Sequence, residues 1–384
     1  RRLSGIEYGR LIYFEGDQIK AASVVEEIDP TSAEARYNTF EARLYSADAQ
    51  FSIINPGGDY ANLQQRQPLA VHEIIGNQSV FIGQFYLESW ESPSETEIEF
   101  HGIDLLGVLD GINYRGDLWT GMAFHTVIEN ILEPLFVPYD LDPDLYDVPV
   151  RGWIPATSVR QALQQLAFAA GAYVDCSRSG SIKIYKTRIV ADDPSYTAPI
   201  TSADRSLAGT TAMKELITGV DVTAHSYSLG GDTKQLYDGS LAAGTYEITF
   251  SEPASNLSAV GATITQSGVN YAIIDVAAAG QVTLTGKTYI DTTQVFSVRM
   301  AIESTVRPKV LQIKDATLVN SDNGAAIAQR LYDYHQQRLQ PKFKLYAPLV
   351  EVGDVVLVDV QYQQQIRGMI EKMDTDLAGG MVSS

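Results

Sequence analysis

Residues 155–185 read PATSVRQALQQLAFAAGAYVDCSRSGSIKIY, and their reading sets the fold class. Thr157 or Ser158 is placed to cap a helix, its side-chain oxygen taking an amide of the first turn. Val159, Leu163, Leu166, Ala167 and Ala170 follow at helical spacing and form one apolar stripe. Gly171 stands where the helix must end in a left-handed residue. Ala172–Cys176 and Ser181–Tyr185 then read as two strands joined through Arg178, Ser179 and Gly180. The result is a helix-plus-hairpin unit with no polar side chain placed for chemistry.

Toward the N-terminus, residues 1–110 alternate with the period of two that half-buried strands show. The runs Phe40–Tyr45, Ala70–Ile74, Ser79–Tyr86 and Glu97–His101 are separated by turn signals at Asp29-Pro30, Asn55-Pro56-Gly57-Gly58 and Gly76-Asn77. Short strands at this spacing predict a closed or nearly closed antiparallel sheet, a β-barrel. Residues 111–190 form the mixed module, with a short helix over Met122–Leu132 ended by Pro134. Toward the C-terminus, a polar stretch from Asp192 to Gly209 reads as a linker. A second β-barrel domain is expected from residues 191–229 and 304–384, with its longest helix over 323–340. Residues 230–303, rich in Gly, Ala, Ser and Thr, read as a small β-sandwich inserted into it. Its strands are expected over 246–250, 262–266, 271–276, 281–285 and 294–300. The fold class is therefore mainly β with an α+β module.

The 384-residue chain carries a net charge of −19, with 45% hydrophobic and 20% charged residues. Residues 1–110 alone hold 7 basic and 18 acidic side chains. That sign excludes wrapping of nucleic acid, whose phosphates demand cations. No run of eighteen apolar residues occurs, so no membrane span is expected. The start, RRLSGIEYGRLIYF, lacks the apolar core and cleavage site of a secretory signal. The single cysteine, Cys176, excludes a disulfide scaffold and reads as a buried, inert thiol on a strand.

Motifs for chemistry are few. Gly280 to Thr288 resembles a phosphate-binding loop, but five residues separate its glycines instead of four and a β-like run follows. Asp140, Asp142, Asp144 and Asp147 offer hard oxygen ligands and are the candidate calcium site. Counted from Asp140, Leu145 and Arg151 occupy the places where a calcium loop wants Gly and Glu, and a solvated acidic turn accounts for the same pattern. His72, His101, His125, His225 and His335 show no metal-ligand spacing. Close carboxylates such as Glu97 and Glu99, or Asp374 and Asp376, follow from strand alternation. Tyr246, Tyr271 and Tyr289 are candidate glycan contacts of the insert. No catalytic residue and no cofactor is expected, and the chain reads as a non-enzyme.

Six runs carry a family resemblance. NTFEARLYSADAQFSIINPGGDYANLQQRQPLAVHE, FIGQFYLESW and HGIDLLGVLDG resemble the first β-domain of bacteriophage tail hub proteins. VRGWIPATSVRQALQQLAFAAGAYVDCSRSGSIKIYK resembles the α/β module that follows it. AAIAQRLYDYHQQRLQPKFKLY and VEVGDVVLVDVQYQQQIRGMIEKMDTDLAGG are similar to the close of the second β-domain. The resemblance implies a homotrimer of two-barrel subunits forming a pseudo-sixfold ring. Its partners would be the tail tube or distal tail protein on one side and a tip or spike protein on the other. It also implies a virion tail protein assembled in the bacterial cytoplasm, passing DNA through an acidic bore that repels phosphate. The alternative is a glycan-binding adhesin acting through the 230–303 insert.

Overall fold

A computed structural model describes residues 2–7, 10–33, 36–46, 48–75, 78–188, 198–301, 303, 307–346, 350–359, 365–378 and 381–383. The helix-plus-hairpin unit forms as its sequence dictates. Helix Val159–Ala170 starts at Ser158, whose hydroxyl accepts the Gln161 amide, and stops at Gly171 with φ +78°. Arg330 donates to the freed carbonyl of Phe168 at 2.8 Å, a cation at the negative end of the helix dipole. Strands Ala172–Asp175 and Ile182–Lys186 pair antiparallel, the first one residue shorter than expected and the second one residue further along the chain. Buried Leu163, Leu166 and Ala167 share one core with Phe124, Val127 and Ile128 of helix Phe124–Leu132.

Both lobes expected as barrels are built on one sheet of 11 strands. The first lobe supplies Arg2–Glu7, Arg10–Glu15, Ile19–Glu27, Thr39–Tyr45, Pro68–Ile75, Gln78–Ser94 and Glu97–Ile103. The second supplies Arg205–Met213, Leu339–Tyr346, Lys372–Asp376 and Met381–Ser383. They join where Ile19–Glu27 pairs antiparallel with Lys372–Asp376, Val24 facing Thr375 and Glu27 facing Lys372. Two cores lie behind this sheet. Phe14, Phe40, Phe51, Phe85 and Phe100 dominate the first, with Phe40 stacked on Phe85 at 5.4 Å. In the second, Phe343, Leu345 and Met373 pack on a three-stranded sheet of Ala198–Ile200, Val355–Asp359 and Gln365–Met369.

The insert is a sandwich around Ala272, Ile274, Val276, Val282 and Leu284, with Ala254–Val260 and the outer parts of two long strands on one side and a three-stranded sheet on the other. The fourth strand of the larger sheet, Val310–Ile313, pairs with Gly219–Val222 at the base of those long strands. The runs expected at 281–285 and 294–300 are one 20-residue strand, Gly280–Arg299. Its partner is the 23-residue strand Gly219–Leu241. This ribbon runs from a core at its base, where Val220 and Val222 meet Ile327 and Leu331, to the insert's own core, so no turn intervenes.

Two other expectations need correction. Helix Gly324–Gln336 ends four residues before Gln340. Leu339–Tyr346 is already strand, with Gln340 facing Ala212, because Pro341 drives the residue before it out of helical geometry. The polar stretch expected as a linker contains strands Ala198–Ile200 and Arg205–Met213. Arg205–Met213 is the edge strand of the large sheet and pairs with Leu339–Tyr346, so the end of that stretch is paired β-structure. Residues 189–197 of that stretch lie outside the described residues.

One residue at the seam is poorly matched to its surroundings. The Thr375 side chain is 6% exposed and its hydroxyl has no hydrogen-bond partner among the described residues. Replacing it with valine removes a buried, unsatisfied group while keeping the branched shape. Thr375→Val is expected to raise stability by about 1 kcal/mol, read as a higher denaturant midpoint at unchanged slope.

Candidate functional site

Strand alternation gives the sheet two faces of opposite character. Val24, Phe40, Ala42, Leu44, Ile98, Phe100, Phe343, Leu345 and Met373 point inward. On the other face stand Glu27, Glu41, Arg43, Glu97, Glu99 and His101 from the first lobe, with Lys342, Lys344, Lys372, Asp374 and Asp376 from the second. Ion pairs stitch neighbouring strands across it, Arg43 to Glu99 and Lys372 to Glu27 at 3.1 Å, and Glu41 lies 3.6 Å from the His101 ring. This solvated, charged surface runs unbroken over both lobes, because the seam strand Lys372–Asp376 keeps the register of its neighbour. It is the candidate functional surface, offering charge and shape.

The helix-plus-hairpin unit is fastened beneath it by buried polar groups. Arg178 reaches Glu26 with Nε and Nη2, both at 3.3 Å, and the Glu26 side chain is only 1% exposed. Asn38 donates Nδ2 to the Ser177 hydroxyl and its backbone amide to Asp104. Asp104 also caps helix Leu105–Asp110 by accepting from Gly107. Burial pushes the Asp104 carboxyl up to about 7 against the pull of those amides. Burial likewise raises Asp175, which holds Ser177 at 2.6 Å, and the Cys176 thiol, leaving that thiol unreactive.

The insert is latched to the central module. The Trp153 indole donates to Asn270 Oδ1 at 2.7 Å, while Asn270 Nδ2 donates to the carbonyls of Arg115 and Ile154. Gly116 sits there with φ +76°, and a Cβ on it would fall 2.2 Å from Asn270 Nδ2. Arg115 lies over the Tyr271 ring at 4.7 Å and pairs with Glu247.

The candidate site residues from the sequence are distributed as follows. Asp140 accepts from the Tyr185 hydroxyl, and Asp142 accepts the amides of Asp144 and Lys186. Asp144 lies 3.7 Å from Lys186 Nζ, and Asp147 is exposed. Tyr246, Tyr271 and Tyr289 are each half-buried, Tyr246 against the insert's core. Among the described residues, the carboxylates and imidazole brought close enough to share an ion are Glu91, Glu99 and His101. Linear spacing missed them because they sit on two strands. Cross-strand register is the signal that finds them.

No family model and no curated protein matches the sequence. Solved structures do match over the whole chain. A tail protein from Neisseria meningitidis MC58 aligns with a TM-score of 0.58 at 13% identity, covering 100% of this chain and 94% of its own. The 43 kDa tail protein of prophage MuSo2 from Shewanella oneidensis gives 0.55 at 12% identity, covering 100% and 97%. Prophage tail protein gp18 from Listeria monocytogenes EGD-e gives 0.55 at 8%, covering 100% and 94%. From the first strand to the last, the chain has the fold of these phage tail proteins.

Proposed function

We propose that this chain is a structural hub subunit of a phage or prophage tail. Three copies form a ring that joins the tail tube to the tip and conducts DNA. The carrying observation is the single sheet shared by the first and last lobes, with one charged face across both. Two lobes per subunit let three subunits present six similar segments around an axis. With that face turned to the bore, the carboxylates of the first lobe repel phosphate, so DNA slides without being held. The net charge of −19 supports the same reading. The tube or distal tail protein would meet one rim of the ring and a tip or spike protein the other. In this reading the protein acts as a non-enzymatic component of the virion tail, assembled in the bacterial cytoplasm. No described helix is long and apolar enough to cross a membrane.

The test is mass in solution combined with electron imaging, with tube and tip proteins co-expressed, since a trimer of modest affinity forms by mass action with its neighbours. Three copies of the 42.0 kDa chain in a ring with a central hole are the expected result. A chain that stays monomeric beside its tail partners, or a compact particle without a hole, overturns the proposal.

A further inference from the structure

We propose that Glu91, Glu99 and His101 bind a divalent transition-metal ion, with Zn2+ the best chemical match, on the charged face of the sheet. This proposal stands independently of the ring.

The geometry comes from strand register. Glu99 faces Glu91 on one neighbouring strand and Arg43 on the other; two residues on, His101 faces Ser89 and Glu41. The ligand atoms of Glu91, Glu99 and His101 all lie within 4.8 Å of one another. A tetrahedral zinc site needs ligand atoms about 3.3 Å apart, so binding would draw the ligand atoms together, the exposed Glu91 moving inward toward Glu99, which Arg43 holds. Like charges directly opposite on paired strands are ordinarily unfavourable. No cation pairs with Glu91 among the described residues, although Arg43 holds Glu99. A bound dication resolves that repulsion. Strand Gln78–Ser94 is also irregular on both sides of this segment, with register shifts between Leu87 and Ser89 and between Glu91 and Ser94. Such bulges re-aim side chains at binding sites.

The surrounding groups are those that orient metal ligands. Glu41, opposite His101 in the register, lies 3.6 Å from His101 Nδ1, so that a small turn of the ring onto a metal would bring the two into hydrogen-bond reach, and Arg43 hydrogen-bonds the Glu99 carboxylate. Imidazole with two carboxylates selects Zn2+ or a similar ion over Ca2+, which wants six to eight oxygens.

The full chain, freed of metal with a chelator, is titrated with Zn2+ by calorimetry. Saturable binding to one site is expected. His101→Asn should abolish it and Glu91→Gln should weaken it strongly, while Glu41→Gln should reduce affinity about tenfold. His72→Asn, a histidine elsewhere on the sheet, should leave it unchanged. Thermal unfolding in chelator, equal for all variants, would confirm that these exposed substitutions spare the fold. The proposal is overturned if no binding heat appears. It is equally overturned if binding survives His101→Asn, or is lost instead with Asp142→Asn in the acidic loop.

Discussion

Arg178→Met is expected to cost about 3–5 kcal/mol of folding stability, the range for removing one partner of a buried ion pair. The reason lies in what remains. Glu26 is 1% exposed, and Arg178 is the one cation in ion-pair contact with it among the described residues. Burial already raises the Glu26 carboxyl above its ordinary 4.5, with Arg178 pulling the other way. Without the guanidinium, desolvation acts unopposed and the carboxyl rises further. A group whose folded value is raised binds more protons folded than unfolded, so it contributes less stability as pH rises through that window. The loss in Arg178→Met should therefore be smallest near pH 4.5 and grow toward neutrality. Denaturant melts across that range read it directly. The double variant Glu26→Leu with Arg178→Met removes the charge along with its partner and should recover most of the loss. If the single variant melts like the parent at neutral pH, Arg178 does not hold the hairpin to the first lobe.

That ion pair shows how the legible and illegible parts of the chain divide. Ser158, the apolar stripe and Gly171 specify a capped helix through contacts three or four residues apart, which a linear reading captures. The alternating runs of the first lobe announced their strands for the same reason. Glu26 and Arg178 lie 152 positions apart, and nothing local marks either as the other's partner. The long ribbon was hidden differently. Its middle carries Thr, Lys and Tyr residues that stand partly or fully in solvent, so a linear reading divides one strand into separate runs until a partner strand of equal length is known. His101 looked like one polar member of a sheet because its neighbours Glu91 and Glu41 come from other strands. Register is a tertiary property, fixed here by cores on one face, and the chemistry of the opposite face follows from it.

Met373→Asp should have the larger effect at the seam, costing about 4 kcal/mol or more, since truncating a buried Met alone costs 2–5 kcal/mol and an unpaired charge adds to it. Met373 is 0% exposed and packs with Phe343, Leu345 and Val356 in the second lobe's core. Its neighbours Lys372 and Asp374 point to the charged face of the same strand. Lys372→Ala removes only a surface pair with Glu27, both partners solvated, and should cost well under about 1 kcal/mol. The contrast between adjacent positions is the informative quantity, because only a strand with one face on a core produces it. Hydrogen exchange should locate the damage in Met373→Asp. Amides of Val355–Asp359 and Gln365–Met369 should lose protection while those of Thr39–Tyr45, behind which the phenylalanine core lies, keep theirs. A ring that needs both lobes on one sheet should then fail to assemble from the variant even where the first lobe remains folded. Equal exchange in both lobes would mean that they unfold as one unit. Assembly of the ring by Met373→Asp would separate the shared sheet from the proposed function altogether.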